Sequence, residues 1–535
     1  MPLPPIDLRD IAAGIGGFAL RGQDGGDRAG TSVAGIGDIN GDGFEDFAIG
    51  APYAYAEALG LPDNGETYIV FGSATRPSGE IDLATIAAGT GGFVVRGAGL
   101  LDHSGIAVAG AGDLNGDGFA DFVVGAADAD GTGDLRAASG EAYVVFGKST
   151  SFGAALNLFD IVAGTGGYVI LGATDGDSVG RAVSAAGDVN GDGLADLLIG
   201  SPFGDGAFDA LPAGGDAYVL YGRAGSGGTA IDLAALSPAE GFALRAADAG
   251  DNAGFSVSGG GDINGDGIAD LVIGAHYANG NGASNAGRSF VVFGGGTGPV
   301  DLGQVAAGIG GFAIDGIFED DLSGRSVSAT GDFNGDGLAD ILIGAYLGDG
   351  PGDSRLNGGE AYLVFGDATP PASVSLADVA AGTGGFAIYG EEGFDSAGYA
   401  VAFAGDLNAD GFDDLAITAD RSAGAGNLRG QAGDTYIIFG SATAPASVDL
   451  ADIAAGIGGF VIHGEDAYDA ASSVAAAGDV DGDGFDDLLI GARRGNGDAN
   501  LRPDAGDAYI VYGRDFTGSV THPGDGDSNE IVGTP

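Results

Sequence analysis

The stretch GDINGDGFEDFAIGAP, residues 37–52, sets four acidic residues and an asparagine within nine positions and then turns abruptly apolar. Carboxylates this close repel one another unless positive charge or hydrogen-bond donors sit among them. Near-copies begin at Asp38, Asp113, Asp188, Asp262, Asp332, Asp406 and Asp479, at intervals of 75, 75, 74, 70, 74 and 73 residues. How this one segment is read therefore decides the architecture of all 535 residues.

Each acidic loop runs into a short apolar strand, such as DFAIG (46–50) or DILIG (340–344). A variable Gly-rich stretch follows, then an aromatic strand ending in glycine, from YIVFG (68–72) to YIVYG (509–513). A short amphipathic piece comes next, IDLATIAAG (81–89) in the first unit, which reads as one helical turn. GGFVVRG (91–97) or a relative then leads into the next loop. Each unit thus holds four short strands: A before the acidic loop, B after it, C aromatic, and D the GGF strand. Seven such units predict an all-β fold, a seven-bladed β-propeller of four-stranded antiparallel blades. Strands apolar on both faces suit blades packed between neighbours.

Counting strands shows how the ring closes. GGFALRG (16–22) precedes any acidic loop, and the last aromatic strand has no GGF strand after it. The N-terminal strand is therefore expected to close the last blade; an open solenoid would leave an unpaired edge at each end. The propeller is expected over residues 1–518, and residues 519–535 as a C-terminal linker or disordered tail.

The formal charge is −57, from 76 acidic residues against 19 Lys plus Arg. Nucleic acid and direct membrane insertion are not expected, since nucleic acids and anionic membranes call for cationic surface and no apolar run is long enough to span a bilayer. There is no cysteine, so metal rather than disulfide is the available staple. MPLPPIDLRD at the start has neither the basic nor the apolar segment of a secretory leader. A soluble chain, monomeric as an isolated module, is the expectation.

Each loop reads D-x-[ND]-x-D-[G]-x-x-D. In the first, Asp38, Asn40, Asp42 and Asp46 offer side-chain oxygens and Phe44 its carbonyl, the 1, 3, 5, 7, 9 pattern of a calcium loop. The same set recurs as Asp113, Asn115, Asp117, Phe119 and Asp121, then as Asp188, Asn190, Asp192, Leu194 and Asp196. It continues as Asp262, Asn264, Asp266, Ile268 and Asp270, and as Asp332, Asn334, Asp336, Leu338 and Asp340. The last two are Asp406, Asn408, Asp410, Phe412 and Asp414, and Asp479, Asp481, Asp483, Phe485 and Asp487. Hard oxygen ligands without His or Cys select calcium over zinc or copper. About seven calcium ions, one per blade, are expected, bringing the formal charge from −57 to −43 and coupling calcium to folding. An EF-hand would need a Glu at position twelve, where these loops have Ile49, Val124, Ile199, Ile273, Ile343, Ile417 and Ile490. A calcium β-roll would need consecutive short repeats, and a metal-free Asp/Gly turn would not call for seven copies in step. The seventh loop, with Asp481 in place of Asn, has four carboxylates and is expected to be the tightest; the sixth has Ala409 where Gly stands elsewhere, which strains its backbone.

With FG at 71–72 and GAP at 50–52 flanking the loop, these units resemble the FG-GAP repeat family, including the N-terminal propellers of integrin α subunits. The resemblance covers roughly residues 6–518 and implies a seven-bladed propeller with calcium in the A–B loops. Integrin propellers carry such loops in only some blades, whereas all seven qualify here, and no partner chain or leg domain accompanies them. FG-GAP repeats also occur beside a phospholipase catalytic domain. The tail HPGDGDSNEIVGTP (522–535) resembles a linker preceding repeat-in-toxin calcium repeats of large secreted bacterial proteins, which implies an excised module; a plain disordered terminus fits equally well.

Strand parity puts the A–B and C–D connections on one face, with calcium, and the B–C and D–A connections on the other. Varied loops on a rigid scaffold are the usual place for recognition, and integrin resemblance implies ligands on the same calcium-free face. Candidates there are Tyr53, Tyr55, Phe203, Phe208, His276, Tyr277, Tyr346, Arg421, Arg493 and Arg494, each of which can also pack its own loop. Two regularities read as structural. Asp27, Asp102, Asp177, Asp251, Asp321 and Asp395 stand eleven residues before the first calcium ligand, with Tyr468 and Asp469 at the seventh, a turn-capping position. Arg136, Arg355, Arg429 and Arg502 lie five before the acid that opens strand C, placed for carboxylate pairing.

Catalysis finds little support: His103, His276, His463 and His522 share no metal spacing, and no nucleophile elbow, phosphate loop or HExxH motif is present. The chain reads as an extracellular or cell-surface binding and adhesion module for a protein or carbohydrate ligand on a cell surface or matrix. A passive spacer in a large secreted surface protein is the alternative, and a hydrolase a more distant one.

Overall fold

Strand A of each unit lies innermost: Ser32–Gly37, Ala107–Gly112, Ala182–Gly187, Ser256–Gly261, Ser326–Gly331, Ala397–Gly405 and Ala471–Gly478. Each packs against strand A of the next blade, and Ala471–Gly478 returns to Ser32–Gly37, so the ring is closed. The structure, a computed structural model, describes residues 2–55, 63–77, 79–131, 136–206, 210–225, 230–352, 354–497 and 500–516. Phe208 and the expected tail 519–535 lie outside these described residues.

Seven sheets run A–B–C–D outward with antiparallel pairing, as in blade 1, where Ile49 opposes both Val33 and Tyr68, and Tyr68 opposes Val94. Strand B is buried along its whole length in every blade, as in Asp46–Ala51 and Asp487–Ala492. Period-2 alternation makes this possible. Phe47 and Ile49 enter the apolar cluster shared with blade 7, while Ala48 between them enters the cluster shared with blade 2. Seven such clusters occupy the seven interfaces between blades.

The closure follows the strand count. Gly17–Arg21 supplies strand D of blade 7, pairing antiparallel with Asp507–Val511. One feature differs from expectation: every blade has a fifth strand. The residues just before each short helix, such as Gly79–Asp82 or Val448–Asp449, pair parallel with strand D of the preceding blade. These segments are two to four residues long, too short for alternation to reveal them. Ile6–Asp7 does the same on Gly459–His463, so the N-terminal segment enters blade 6 as well as blade 7.

The arginines before strand C hold these fifth strands. Arg136 pairs with Asp232 at 2.6 Å, Arg355 with Asp449 at 2.6 Å, Arg502 with Asp82 at 2.7 Å, and Arg429 with Asp7. The same four aspartates cap the short helices that follow, accepting from Arg9, Ala84, Ala234 and Ala451 amides. The capping aspartates also behave as expected where their bonds are resolved: Asp177 accepts from the Thr174 amide at 3.0 Å and Asp469 from the Asp466 amide at 3.0 Å. Among the described residues, no helix is long and apolar enough to cross a membrane.

Candidate functional site

The seven acidic loops share one hydrogen-bond design. The first-position carboxylate gathers backbone amides: Asp38 Oδ1 accepts from Gly41 at 2.6 Å and Asp42 at 3.1 Å, and Oδ2 from Gly43 at 2.8 Å. Asp479 repeats this on Gly482, Asp483 and Gly484. At position five, one oxygen accepts from the position-seven amide, as Asp42 Oδ1 does from Phe44 at 3.1 Å, a bond that does not use Oδ2. In the first six loops the position-seven carbonyl accepts no hydrogen bond among the described residues. Free oxygens of this kind, beside amide-stiffened carboxylates, fit a hard divalent cation.

Position nine does a second job. Asp46 is fully buried; its Oδ2 accepts from the Ile39 amide at 3.1 Å and its Oδ1 from the Gly72 amide at 2.9 Å. All seven ninth positions bond the glycine that ends strand C in this way, through Gly147, Gly222, Gly294, Gly366, Gly440 and Gly513 in the others. That glycine is required: a Cβ at Gly72 would lie 2.3 Å from the Glu45 carbonyl oxygen. Burial most of all, with the Asp42 and Asp38 carboxylates after it, pushes the Asp46 carboxyl up to about 8 against the pull of its amide bonds. Positive charge in the loop would relieve that strain.

The loops are also linked around the ring. The residue after each strand-C glycine donates its amide to the position-two carbonyl of the preceding blade's loop: Lys148 to Ile39 at 2.8 Å, and Ser73 to Val480 at 2.8 Å. Ala409 adopts φ 56°, the left-handed conformation that Gly holds at this position in other loops.

The seventh loop differs from the rest. Asp479, Asp481 and Asp483 bring ligand oxygens within 4.8 Å of one another. Arg76, from the C–D turn of blade 1, reaches across the closure seam into them. Its Nε lies 2.5 Å from Asp481 Oδ2, and its Nη2 pairs with Asp483 Oδ2, the position-five oxygen that the position-seven amide does not use. Its guanidinium also stacks 5.1 Å over the Tyr512 ring. The extra carboxylate of this loop is thus met by an arginine of the same chain, 405 residues away in sequence. No motif within a single unit signals it.

On the opposite face, the candidates separate. Arg421, Arg493 and Arg494 line a cavity of about 650 Å³ between blades 6 and 7, together with Asp395, Asp420 and Asn427. The Tyr53 ring meets His103 at 4.8 Å, tilted by 56°, with the Arg28 guanidinium over it at 4.7 Å. Tyr55, Phe203 and Tyr277 are exposed. His276 is buried between Phe255 and Tyr277, and burial followed by the nearby Arg325 and Arg181 pushes its pKa down to about 3. Tyr346 stands edge-on to Tyr399 at 5.7 Å. Sequence reasoning missed four neighbours of these residues: Arg181, Phe255, Arg325 and Tyr399. Each stands seven positions before the first acid of its unit's loop, so aligning the units on that acid would have found them.

Comparison with known proteins agrees with this geometry. The family model described as FG-GAP repeat matches residues 29–70, 104–145, 179–220, 253–292, 323–364, 397–437 and 470–512. Curated relatives include a phosphatidylinositol-glycan-specific phospholipase D of Rattus norvegicus, 33% identical over 168 residues, 31% of this chain and 18% of that one. Integrin alpha-IIb of Mus musculus is 32% identical over 176 residues, 32% of this chain and 14% of that one. Integrin alpha pat-2 of Caenorhabditis briggsae is 36% identical over 110 residues, 19% of this chain and 9% of that one. The matched segments thus span less than a fifth of each relative's length.

Proposed function

The chain belongs to the FG-GAP repeat family, and on that premise we propose that it is a calcium-stiffened binding and adhesion module of the cell exterior. The observation that carries the reading is the division of labour between faces. One face repeats the same acidic loop seven times, whereas the other gathers unlike loops around a cavity lined by Arg421, Arg493 and Arg494.

In this reading Asp38, Asn40, Asp42, the Phe44 carbonyl and Asp46 hold calcium in blade 1, and the corresponding residues do so in the others. Calcium supplies the charge that lets clustered carboxylates share a turn. The chain's own residues do the rest: the position-one carboxylate shapes the loop, and position nine ties it to strand C. Amide bonds from the next blade then pass that rigidity around the ring. The ligand, a protein or carbohydrate of a cell surface or matrix, docks on the calcium-free face. Likeness to integrin α subunits supports an extracellular setting.

The test is binding of the purified chain to a glycan and cell-surface panel, with calcium and with chelator. Calcium-dependent hits that Tyr277→Ala or Arg493→Ala abolish are the expected result. A clean panel from a folded, calcium-loaded chain would instead make it a spacer.

A further inference from the structure

In a chain with four acidic residues for every basic one, an arginine meets a carboxylate almost by default. Eleven arginines do, Arg21 among three of them at once. Seven form no ion pair among the described residues: Arg28, Arg223 and Arg514 lie over the rings of Tyr53, Tyr168 and Phe516, and Arg181, Arg325, Arg421 and Arg494 stand on the calcium-free face, the last three all acting on Asp420. Arg181 and Arg325 immediately precede strand A of blades 3 and 5, with Phe255 of blade 4 between them: its ring lies 5.0 Å from one guanidinium and 5.7 Å from the other. Arg325 also lies 3.9 Å from the Tyr399 ring and 5.0 Å from the Tyr346 ring. Arg493 completes the group, donating to the Tyr399 hydroxyl at 2.8 Å.

Four acids approach this pole: Glu392 and Asp395 line the cavity beside Arg421, Arg493 and Arg494, and Asp420 and Asp128 are engaged. Asp420 is buried and lies 3.7 Å from Arg493, and Asp128 pairs with His103 at 2.7 Å. The field is positive enough to be felt by other groups. Burial raises the Tyr399 phenol, yet Arg325 and Arg493 outweigh it and the net shift is downward. Burial likewise lowers the Arg181 guanidinium, with Arg325 as the largest charge acting on it. The acidic loops do not cancel this field. Six-residue strands such as Ser326–Gly331 separate the two faces by about 20 Å, more than two screening lengths at physiological salt.

We propose that this pole is a carboxylate site for a uronic acid residue of an acidic glycan. Arg181 and Arg325 face the carboxylate, Arg421 and Arg494 guide it in, and Tyr277 and Tyr346 offer ring faces to the sugar. Arg325 uses Nη1 on the Tyr399 carbonyl at 2.9 Å, which leaves its other guanidinium nitrogens for an oxyanion. A singly charged sugar acid suits the site better than a phosphate, because the −57 chain opposes approach of multiply charged ligands. The exposed ring of Tyr277 favours a sugar face over a bare acidic side chain.

This inference rests on the calcium-free face being the binding face, and the test keeps the two apart. The full chain, calcium-loaded at physiological salt, is titrated calorimetrically with the monosaccharide methyl galacturonoside, with its methyl ester, and with a peptide rich in Asp and Glu. The acid should bind, and the ester at least roughly tenfold more weakly, the loss expected of a charge-assisted contact. Arg181→Gln and Arg325→Gln should each lower affinity by roughly tenfold or more, and Lys148→Gln, on the calcium face, should leave it unchanged. Arg421→Gln and Arg494→Gln, which break no internal ion pair, should weaken binding several-fold with an unaltered melt. Equal binding of acid and ester, or full affinity in the arginine variants, overturns the proposal. Binding of the peptide alone, or of neutral glycans alone, also overturns it but leaves the binding-module reading standing. Silence across the whole panel overturns both.

Discussion

Arg76→Gln removes the guanidinium that blade 1 inserts among the carboxylates of the seventh loop. The Arg76 side chain is 44% exposed, so its pairing with Asp483 belongs to the weak surface class, whereas Asp481 is 2% exposed and its charge-assisted bond is stronger. Together they amount to about 1–2 kcal/mol that calcium must overcome to reach the same two oxygens, a factor of roughly 5–30 in affinity. Wild-type protein at limiting free calcium should therefore fill six loops before the seventh, despite the fourth carboxylate there. The variant should fill all seven together. Elemental mass spectrometry of chains dialysed against buffered free calcium reads the count directly. Calorimetry adds an opposite sign: the variant should melt lower than wild type in chelator, where the seam has lost its ion pairs, and the gap should close in saturating calcium. Seven equivalent ions in both proteins would refute the reasoning, as would a melting gap of the same size with and without calcium. A count of zero in both would instead remove calcium from the loops altogether.

Asp46→Asn and Asp42→Asn should separate scaffold from metal ligand. The first leaves a buried amide of Ile39 or Gly72 without an acceptor and should cost about 1–3 kcal/mol even in chelator, while the second should lower the calcium count by about one and barely shift the metal-free melt. Arg429→Ala strips Asp7 of its partner and frees the fifth strand of blade 6, a loss of about 3 kcal/mol that limited proteolysis should show as early release of the N-terminal segment. Buried acids away from the loops set a pH dependence. Burial, then neighbouring acids, pushes Asp27 and Asp395 up to about 7 and Asp469 up to about 8, far above their unfolded values. Folded chains therefore hold protons that unfolded ones release, so in saturating calcium the melting temperature should fall as pH rises from about 6 to about 8. A flat or rising profile would contradict these assignments.

What was legible in the sequence is what the seven units repeat. The acidic loop, the apolar B strand and the strand-C glycine recur because each does the same job in every blade, so the fold, its closure and the candidate ligands follow from counting. The fifth strand was not legible, since Ile6–Asp7 and Val448–Asp449 are too short to carry a pattern and their partners lie one blade back. Arg76 was not legible because its partners lie 405 residues away and no other unit has the same contact.

That asymmetry also bears on function. A chemistry present seven times, in symmetric positions, gives stiffness and stoichiometry but no unique site, so a ligand that docks once must be read by positions where the units differ. Seven residues before each loop, the units carry Thr31, Ile106, Arg181, Phe255, Arg325, Tyr399 and Ser472. Three small or aliphatic members fall on blades 7, 1 and 2, and the four large ones on consecutive blades 3 to 6, where their rings and guanidiniums meet. The scaffold tolerates any of these residues there, as the spread from Ser to Arg shows, so packing alone does not select two unpaired arginines on either side of one phenylalanine. Burial first, and the Arg325 charge after it, lower Arg181, a cost the fold has no structural need to bear, and an incoming carboxylate is what would repay it.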